Sequence, residues 1–489
     1  MDSIGEAEIA RRLAQHNLWW LEPRSTITEA SSPKRVYFAP FKALALNFSV
    51  RRATILLGPR RVGKTFMVKQ LIHDAIQDGV DPKAILYAAM DTPVYSGISL
   101  ERFLDLFPKG GDAERRLVIF DEIQYLENWE VHLKNLVDNY PNTKFIALGS
   151  AAAALKLKSA ESGAGRFSDF MLPPLTFYEF LKFLGEEEKL IDVKPKEDGG
   201  REYAAKDIDE LNKRFVDYLN FGGYPEAVLN PEIRDNSEQF IRNDIIDKVL
   251  LKDLPSLYGI NDIQQLNKLF SFLAYNAGTE ASLENIAQKS GISKPTIKRY
   301  IEYLESAFLI IKLPTVDDNC KTLQRQRNFK VYLNNPSMRA ALFGPVRIDE
   351  PDKIGHLAES AIYSQWQHSQ SFRQLRYARW KNEGEVDVVY LATDKPKPLW
   401  IGEISWSDDV ASKYGDATRS VTTMLRKHKK TIKAAFLTTK TLTTATEIEG
   451  LRVKIWPSAL YCYFVGRNIT ANLEQLMLEK FMQQGIAST

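Results

Sequence analysis

Gly58-Pro59-Arg60-Arg61-Val62-Gly63-Lys64-Thr65 matches the pattern G-x-x-x-x-G-K-[ST] at every fixed position. The apolar run before it, Ala53 to Leu57, stops at the turn residues Gly58 and Pro59, which is how a buried parallel strand reads. The residues after it, Lys64 to Ile76, have helical spacing. The motif therefore sits between a predicted strand and a predicted helix, the setting its chemistry requires. Its glycines let backbone N–H groups turn inward around phosphates, where bulkier residues would block the approach. The helix beginning near Lys64 adds its N-terminal dipole. Lys64 is expected to reach the β- and γ-phosphates of ATP, and the Thr65 hydroxyl to ligate Mg²⁺.

Further along, Leu117-Val118-Ile119-Phe120-Asp121-Glu122 supplies a second half. Four apolar residues make a buried strand, Asp121 at its end is placed to hold the Mg²⁺ hydration shell, and Glu122 to orient or deprotonate an attacking water. Phe145 to Ser150 reads as another strand, ending in a small polar residue. Two roles are open to Ser150: sensing the γ-phosphate, or capping a following helix. Two are likewise open to Arg166: an arginine finger, on its own chain or on a neighbouring subunit, or a positioning salt bridge.

Around these motifs strands alternate with helices up to about Pro173, which implies an α/β fold with a parallel sheet. Leu184 to Ile208 is rich in Glu, Lys, Asp and Gly and reads as a surface insertion or linker. Asp209 to Leu313 has a helical pattern, and strand-like runs return between Gln374 and Thr438. At 489 residues the chain exceeds one core, since cores rarely grow past about 250–300 residues. Three domains are expected: an ATPase domain over 1–183, a helical linker and helix-turn-helix domain over 184–330, and an α/β domain over 331–489.

These motifs together give the chain a family resemblance. GPRRVGKT, LVIFDEIQYLENW (Leu117 to Trp129), GSAAAALKLKSAESGAGR (Gly149 to Arg166), LPPLTFYEFL (Leu172 to Leu181) and FGGYPEAV (Phe221 to Val228) resemble the prokaryotic AAA+-like, or archaeal-type, P-loop ATPases. The resemblance implies an ATPase domain, a helical winged region and a C-terminal nuclease-like domain. Ala151 and Ala152 depart from it, standing where relatives often carry further serines.

In the middle of the chain, Ser282 to Ala287 and Ser293 to Ile301 read as a helix-turn-helix with Gly291 at the turn and Ser293 as a cap. Lys294, Thr296, Lys298 and Arg299 would lie on or near its outer face, where a recognition helix meets DNA, and protein contact is the competing use of such a module. The basic run Lys321, Arg325, Arg327 and Lys330 favours phosphate contact or forms a solvated loop.

Towards the C-terminus, Glu359 on a predicted helix, Asp387 in one strand and Glu403 in the next form a carboxylate constellation suited to Mg²⁺. It resembles the PD-(D/E)XK (restriction-endonuclease-like) superfamily, whose pattern ends Glu-x-Lys. Ser405 occupies the lysine position here. Either another lysine replaces it, with Lys381 and Lys413 as candidates, or the domain binds without cleaving. The basic stretch Arg426-Lys427-His428-Lys429-Lys430 either steers DNA or forms a solvated helix face.

Composition sets limits. A net charge of +3, 44% hydrophobic and 26% charged residues describe an ordinary globular chain, with no global basic surplus to demand nucleic acid. Two distant cysteines, Cys320 and Cys462, exclude a disulfide framework and a Cys-based zinc site. No stretch approaches the ~18 apolar residues of a membrane span, and charges interrupt the N-terminus where a signal peptide needs an apolar run. The expectation is a cytoplasmic ATPase that acts on DNA, with homo-oligomerisation open and no membrane partner. The alternative is a nucleotide-gated signalling or scaffold protein working through protein partners.

Overall fold

Strand β1 (Ala53–Leu57) is buried along its whole length, because parallel strands are covered on both faces and leave no position for a polar side chain. With β2 (Ile85–Ala89), β3 (Arg116–Asp121), β4 (Thr143–Gly149) and β5 (Phe167–Met171) it forms a five-stranded parallel sheet in the order β2-β3-β4-β1-β5. The computed structural model describes residues 6–22, 27–107, 115–149, 165–195, 200–320, 328–369, 373–380, 384–409 and 416–471. The chain divides into two compact units, one reaching Pro173 and the other spanning Pro174–Ala471.

In the first unit, the N-terminal segment closes the exposed edge of β2. Helix Glu6–His16 is followed by a 3-10 turn, Leu18–Trp20. Asn17 breaks the helix and imitates a neighbouring strand: its Nδ2 donates to the Tyr87 carbonyl (2.8 Å) and its Oδ1 accepts from the Tyr87 N–H (2.7 Å). The indole N–H groups of Trp19 and Trp20 both donate to the Ile85 carbonyl. An edge strand thus has its polar groups satisfied without a further strand.

The second unit begins earlier than expected. Thr176 and Glu179 form a reciprocal capping box that starts helix Phe177–Phe183, and Phe177 and Phe180 pack on Phe215 and Tyr218. This helix therefore belongs to the second unit, and the expected boundary at 183/184 moves back to Pro173/Pro174. The segment 184–208, expected as a surface insertion or linker, is an insertion with structure of its own. It carries a short helix, Glu187–Leu190, and the hairpin β6 (Ile191–Pro195) and β7 (Arg201–Ala205), whose Tyr203 packs into the core. Polar composition misled here because only alternate residues of a hairpin face inward.

Gly223 of FGGYPEAV is fixed by contact: a Cβ there would lie 2.3 Å from the Asn335 side chain.

A nine-stranded sheet spans the rest of this unit, in the order β15-β16-β14-β13-β12-β11-β9-β10-β8. Its strands are β8 (Glu280–Ser282), β9 (Ile310–Val316), β10 (Asn328–Leu333), β11 (Leu375–Trp380), β12 (Gly384–Leu391), β13 (Pro398–Glu403), β14 (Ala434–Thr439), β15 (Thr444–Ile448) and β16 (Leu451–Pro457). β11, β12 and β13 run antiparallel, and β14 returns parallel to β13 after helix Asp416–Lys427. Helices Leu283–Ser290 and Lys294–Ser306 meet at Gly291, whose φ of 74° suits glycine, and Ser293 caps the second helix. The expected boundary 330/331 is corrected as well. It falls within β10, and β9 pairs with both β10 and β11, so the helical region and the C-terminal strands share one sheet.

Asn17→Ala would leave the buried edge groups of Tyr87 unpaired. The expected loss is about 2–3 kcal/mol of stability for the first unit, read from the midpoint of urea unfolding.

Candidate functional site

Parallel topology delivers the ends of β1, β3 and β4 to one edge of the first sheet, and the sequence motifs follow those ends. The loop Gly58-Pro59-Arg60-Arg61-Val62-Gly63 leaves β1, and helix Lys64–Gln77 starts at once behind Gly63, whose φ is 94°. A Cβ at Gly58 would sit 2.2 Å from the Leu172 carbonyl oxygen, so only glycine fits there. Arg61 also takes a left-handed conformation (φ 64°), and Val62 is buried. The buried Arg35 pins the loop, donating from Nη1 to the Val62 carbonyl (2.8 Å) and from Nη2 to the Pro173 carbonyl (3.0 Å).

Lys64 Nζ lies 3.0 Å from the Gly58 carbonyl and 2.7 Å from that of Pro59, so its ammonium is held over the loop. The Thr65 hydroxyl donates to Asp121 Oδ2 at 2.8 Å. The Tyr87 hydroxyl donates to the same oxygen at 2.7 Å, and the Glu122 N–H donates to Oδ1 at 2.9 Å. A hydroxyl and a carboxylate, the donor types of Mg²⁺, thus meet at one point beside the loop. Burial and the charge of Glu122 raise the pKa of Asp121, while the bonds from Tyr87 and Thr65 and the charge of Lys64 oppose the rise. Glu122 itself has a left-handed backbone (φ 50°) and accepts from the Gln124 amide. Behind Asp121, Lys69 Nζ lies 3.7 Å from the Tyr87 ring centroid, and burial lowers its pKa.

Ser150 lies outside the described residues; Gly149 before it pairs with Leu57, directly beneath the loop. Arg166 is elsewhere. Its carbonyl accepts from the Ala53 N–H, at the start of β1, and its guanidinium pairs with Asp138. The loop follows the other end of β1, roughly 17 Å away at about 3.3 Å per residue. Arg166 therefore does not reach the loop of its own chain, which corrects any finger role there.

A second cluster stands in the second unit. Glu359 on helix Pro351–Trp366 and Asp387 on β12 approach one another, joined by Glu385 and by a lysine that sequence reading placed in a solvated run. Lys330 Nζ on β10 lies 2.6 Å from Glu385 Oε1, 3.3 Å from Asp387 Oδ1 and 3.5 Å from Glu359 Oε2. Lys330 is only 4% exposed, so it offers nothing to an outside phosphate. That correction follows from strand alternation: Lys330 and Tyr332 share one face of β10, and the Tyr332 hydroxyl donates to Glu359 Oε2 (2.8 Å). Burial alone would lower the pKa of Lys330, but the charges of Asp387, Glu359 and Glu385 outweigh it and raise it.

Asp387 Oδ2 accepts from the Ile404 N–H at 3.0 Å. Glu403 Oε2 is buried without a hydrogen-bond partner, and burial plus the charge of Asp387 raise its pKa well above the usual range, with the charge of Lys330 opposing the rise. Among the described residues, no group of three His, Cys, Asp or Glu side chains has the arrangement of a metal site. Of the expected Mg²⁺ set, Glu359 and Asp387 face Lys330 directly.

Ser405 does not face this cluster. Its N–H donates to Thr438 Oγ1, and its hydroxyl accepts from the Ser407 N–H. Lys381 and Lys413 lie outside the described residues, as do Lys321, Arg325 and Arg327. In the C-terminal basic stretch, Arg426 pairs with Glu449 and Lys427 with Asp318, while Lys429 and Lys430 are exposed.

Residues 50–181 match the AAA domain family, and residues 212–349 match a domain of unknown function. The AAA match takes in the phosphate-loop motif and the strand that ends at Asp121. An uncharacterized protein of Methanocaldococcus jannaschii is 27% identical over 283 residues, covering 57% of this chain and 60% of its own length. One from Haemophilus influenzae is 26% identical over 300 residues, covering 59% and 69%. The chain therefore spans well under the full length of these relatives. Among solved structures, a Walker-type ATPase of Pyrococcus abyssi aligns at 16% identity with a TM-score of 0.36, over 62% of this chain and 94% of that one. The Aeropyrum pernix Orc1 protein in complex with DNA aligns at 12% identity and a TM-score of 0.31, over 66% and 95%. Among the described residues, no helix is long and apolar enough to cross a membrane.

Gly58→Ala forces the loop away from Leu172, and ATP affinity is expected to fall about tenfold or more, near 1.4 kcal/mol, by titration with a fluorescent nucleotide. Glu359 gives a pH signature. Burial and the charge of Asp387, opposed by Lys330, push its pKa up from 4.5 to about 7. The folded state holds that proton where the unfolded chain has released it, so its contribution is full below 4.5 and lost as pH rises through about 7. The urea midpoint should fall over that window, and Glu359→Gln should flatten the fall.

Proposed function

We propose that this chain binds and hydrolyses ATP at Gly58–Thr65 and uses the nucleotide cycle to act on DNA through its second unit. The observation that carries the ATPase reading is the 2.8 Å bond from Thr65 to Asp121, which joins the two halves of the nucleotide motif. In this reading the loop amides and Lys64 hold the phosphates, and Thr65 with Asp121 holds Mg²⁺. Bound Mg²⁺ supplies charge neutralisation at the phosphate oxygens. Glu122, one residue beyond Asp121, orients the attacking water and accepts its proton. Ser150, one residue past β4, senses the γ-phosphate. Arg166 acts on the nucleotide of a second copy, after leaving Asp138.

For the second unit, helices Leu283–Ser290 and Lys294–Ser306 with strands β8, β9 and β10 support a winged helix-turn-helix. Lys298 and Arg299 are exposed on the second helix and suit phosphate contact, while Lys294 pairs with Glu284. The meander β11-β12-β13 with its parallel neighbour β14 supports a nuclease-like domain of the PD-(D/E)XK kind, lacking its lysine at Ser405.

The test combines ATP hydrolysis with binding of labelled duplex and single-stranded DNA at two salt concentrations. Lys64→Ala should abolish hydrolysis. Lys298→Ala with Arg299→Ala should weaken DNA binding several-fold and flatten its salt dependence. Unchanged hydrolysis in Arg166→Ala removes the arginine from the mechanism. ATP-driven self-association with no DNA affinity would replace the DNA reading with that of a nucleotide-gated scaffold.

A further inference from the structure

Lys330 reaches the acid cluster from a strand distant in sequence from its acids. Glu359 comes from helix Pro351–Trp366 and Glu385 and Asp387 from β12, whereas Lys330 rides on β10, between β9 and β8. Its ammonium lies within 3.5 Å of all three carboxylates. Oxygens of two of these acids are already engaged. Asp387 gives Oδ1 to Lys330 and Oδ2 to the Ile404 amide, and Glu359 Oε2 takes both Lys330 and the Tyr332 hydroxyl.

A carboxylate ligand must come within about 2.0–2.6 Å of a Mg²⁺ or Ca²⁺ ion. An ion placed among these acids would therefore stand against a buried ammonium that has no other partner to retreat to among them. Ser405 is turned to Thr438 and Ser407, so no second lysine comes from β13. The donor set does not fit a divalent ion while Lys330 is in place.

We propose that Lys330 is the resident cation of this site: its ammonium occupies the position a divalent ion would need, and so keeps Mg²⁺ and Mn²⁺ out. The second unit then engages nucleic acid without hydrolysing it. This inference rests on reading that unit as nuclease-like, and it adds the reason the unit is inactive: the cation comes from the sheet strand that carries the helix-turn-helix. Removing the ammonium should uncover a divalent-metal site made from Glu359, Glu385 and Asp387.

The experiment titrates Mn²⁺ into the full chain without nucleotide, followed by electron paramagnetic resonance, and incubates the same proteins with labelled duplex DNA and Mn²⁺. Wild type and Asp387→Asn should give the same Mn²⁺ curve, and neither should cleave DNA. Lys330→Met should gain an added equivalent of Mn²⁺, at least about tenfold tighter than any site of the wild type, and Asp387→Asn in that background should remove it. Lys330→Gln provides the second route if the methionine variant does not fold, as judged by thermal unfolding.

Mn²⁺ binding or DNA cleavage by the wild type that Asp387→Asn abolishes would overturn the inference while upholding a nuclease. A folded Lys330 variant that gains no Mn²⁺ would also overturn it. Gain of Mn²⁺ with no DNA affinity would uphold the internal cation and overturn the DNA reading instead.

Discussion

A charge withdrawn from water has to meet compensating groups, and both clusters of this chain are arranged around that requirement. In the first unit the withdrawn charge is Asp121, gripped by hydroxyls from Thr65 and Tyr87 and by the amide of Glu122. Those three donors come from the helix behind the phosphate loop, the edge strand and the turn after β3. Satisfying one carboxylate therefore fixes how that helix sits against the sheet. In the second unit the withdrawn charge is Lys330, and its three acids come from a helix and a strand of the C-terminal region. The same requirement there welds the helix-turn-helix strands to β12 and its neighbours.

The first site was largely legible because its information is local. Phosphate binding by a loop needs glycine at fixed intervals and a lysine and hydroxyl next to one another, and these lie within eight consecutive residues. Its supporting residues were not legible. Arg35 and Tyr87 act through contacts made by folding, at the Val62 carbonyl and at Asp121, and nothing in their neighbourhoods distinguishes them from ordinary polar and aromatic positions. The placement of Arg166 needed the direction of β5 relative to β1, which sets the two ends of the sheet apart.

The second site was half legible for the converse reason. The strand pattern around Asp387 and Glu403 could be read, and the strands lie within a residue or so of where alternation put them. Lys330 could not be assigned, because a lysine after Lys321, Arg325 and Arg327 has the composition of a solvated stretch until strand pairing gives it an inward face. The hairpin within 184–208 was hidden similarly: the charge content that reads as an insertion or linker describes its outward side, while its inward side holds Tyr203. Domain boundaries drawn on composition suffer most, since β9 crosses the expected divide by pairing with strands on both sides.

The shared sheet has a geometric corollary. Helix Lys294–Ser306 runs on into β9, which pairs with β10 on one side and with β11, and through it β12, on the other. The exposed helix face and the buried ammonium are thus two marks on one ruler. The helix and the acid cluster keep a fixed offset, set by strand spacing and insensitive to the length of the loops between.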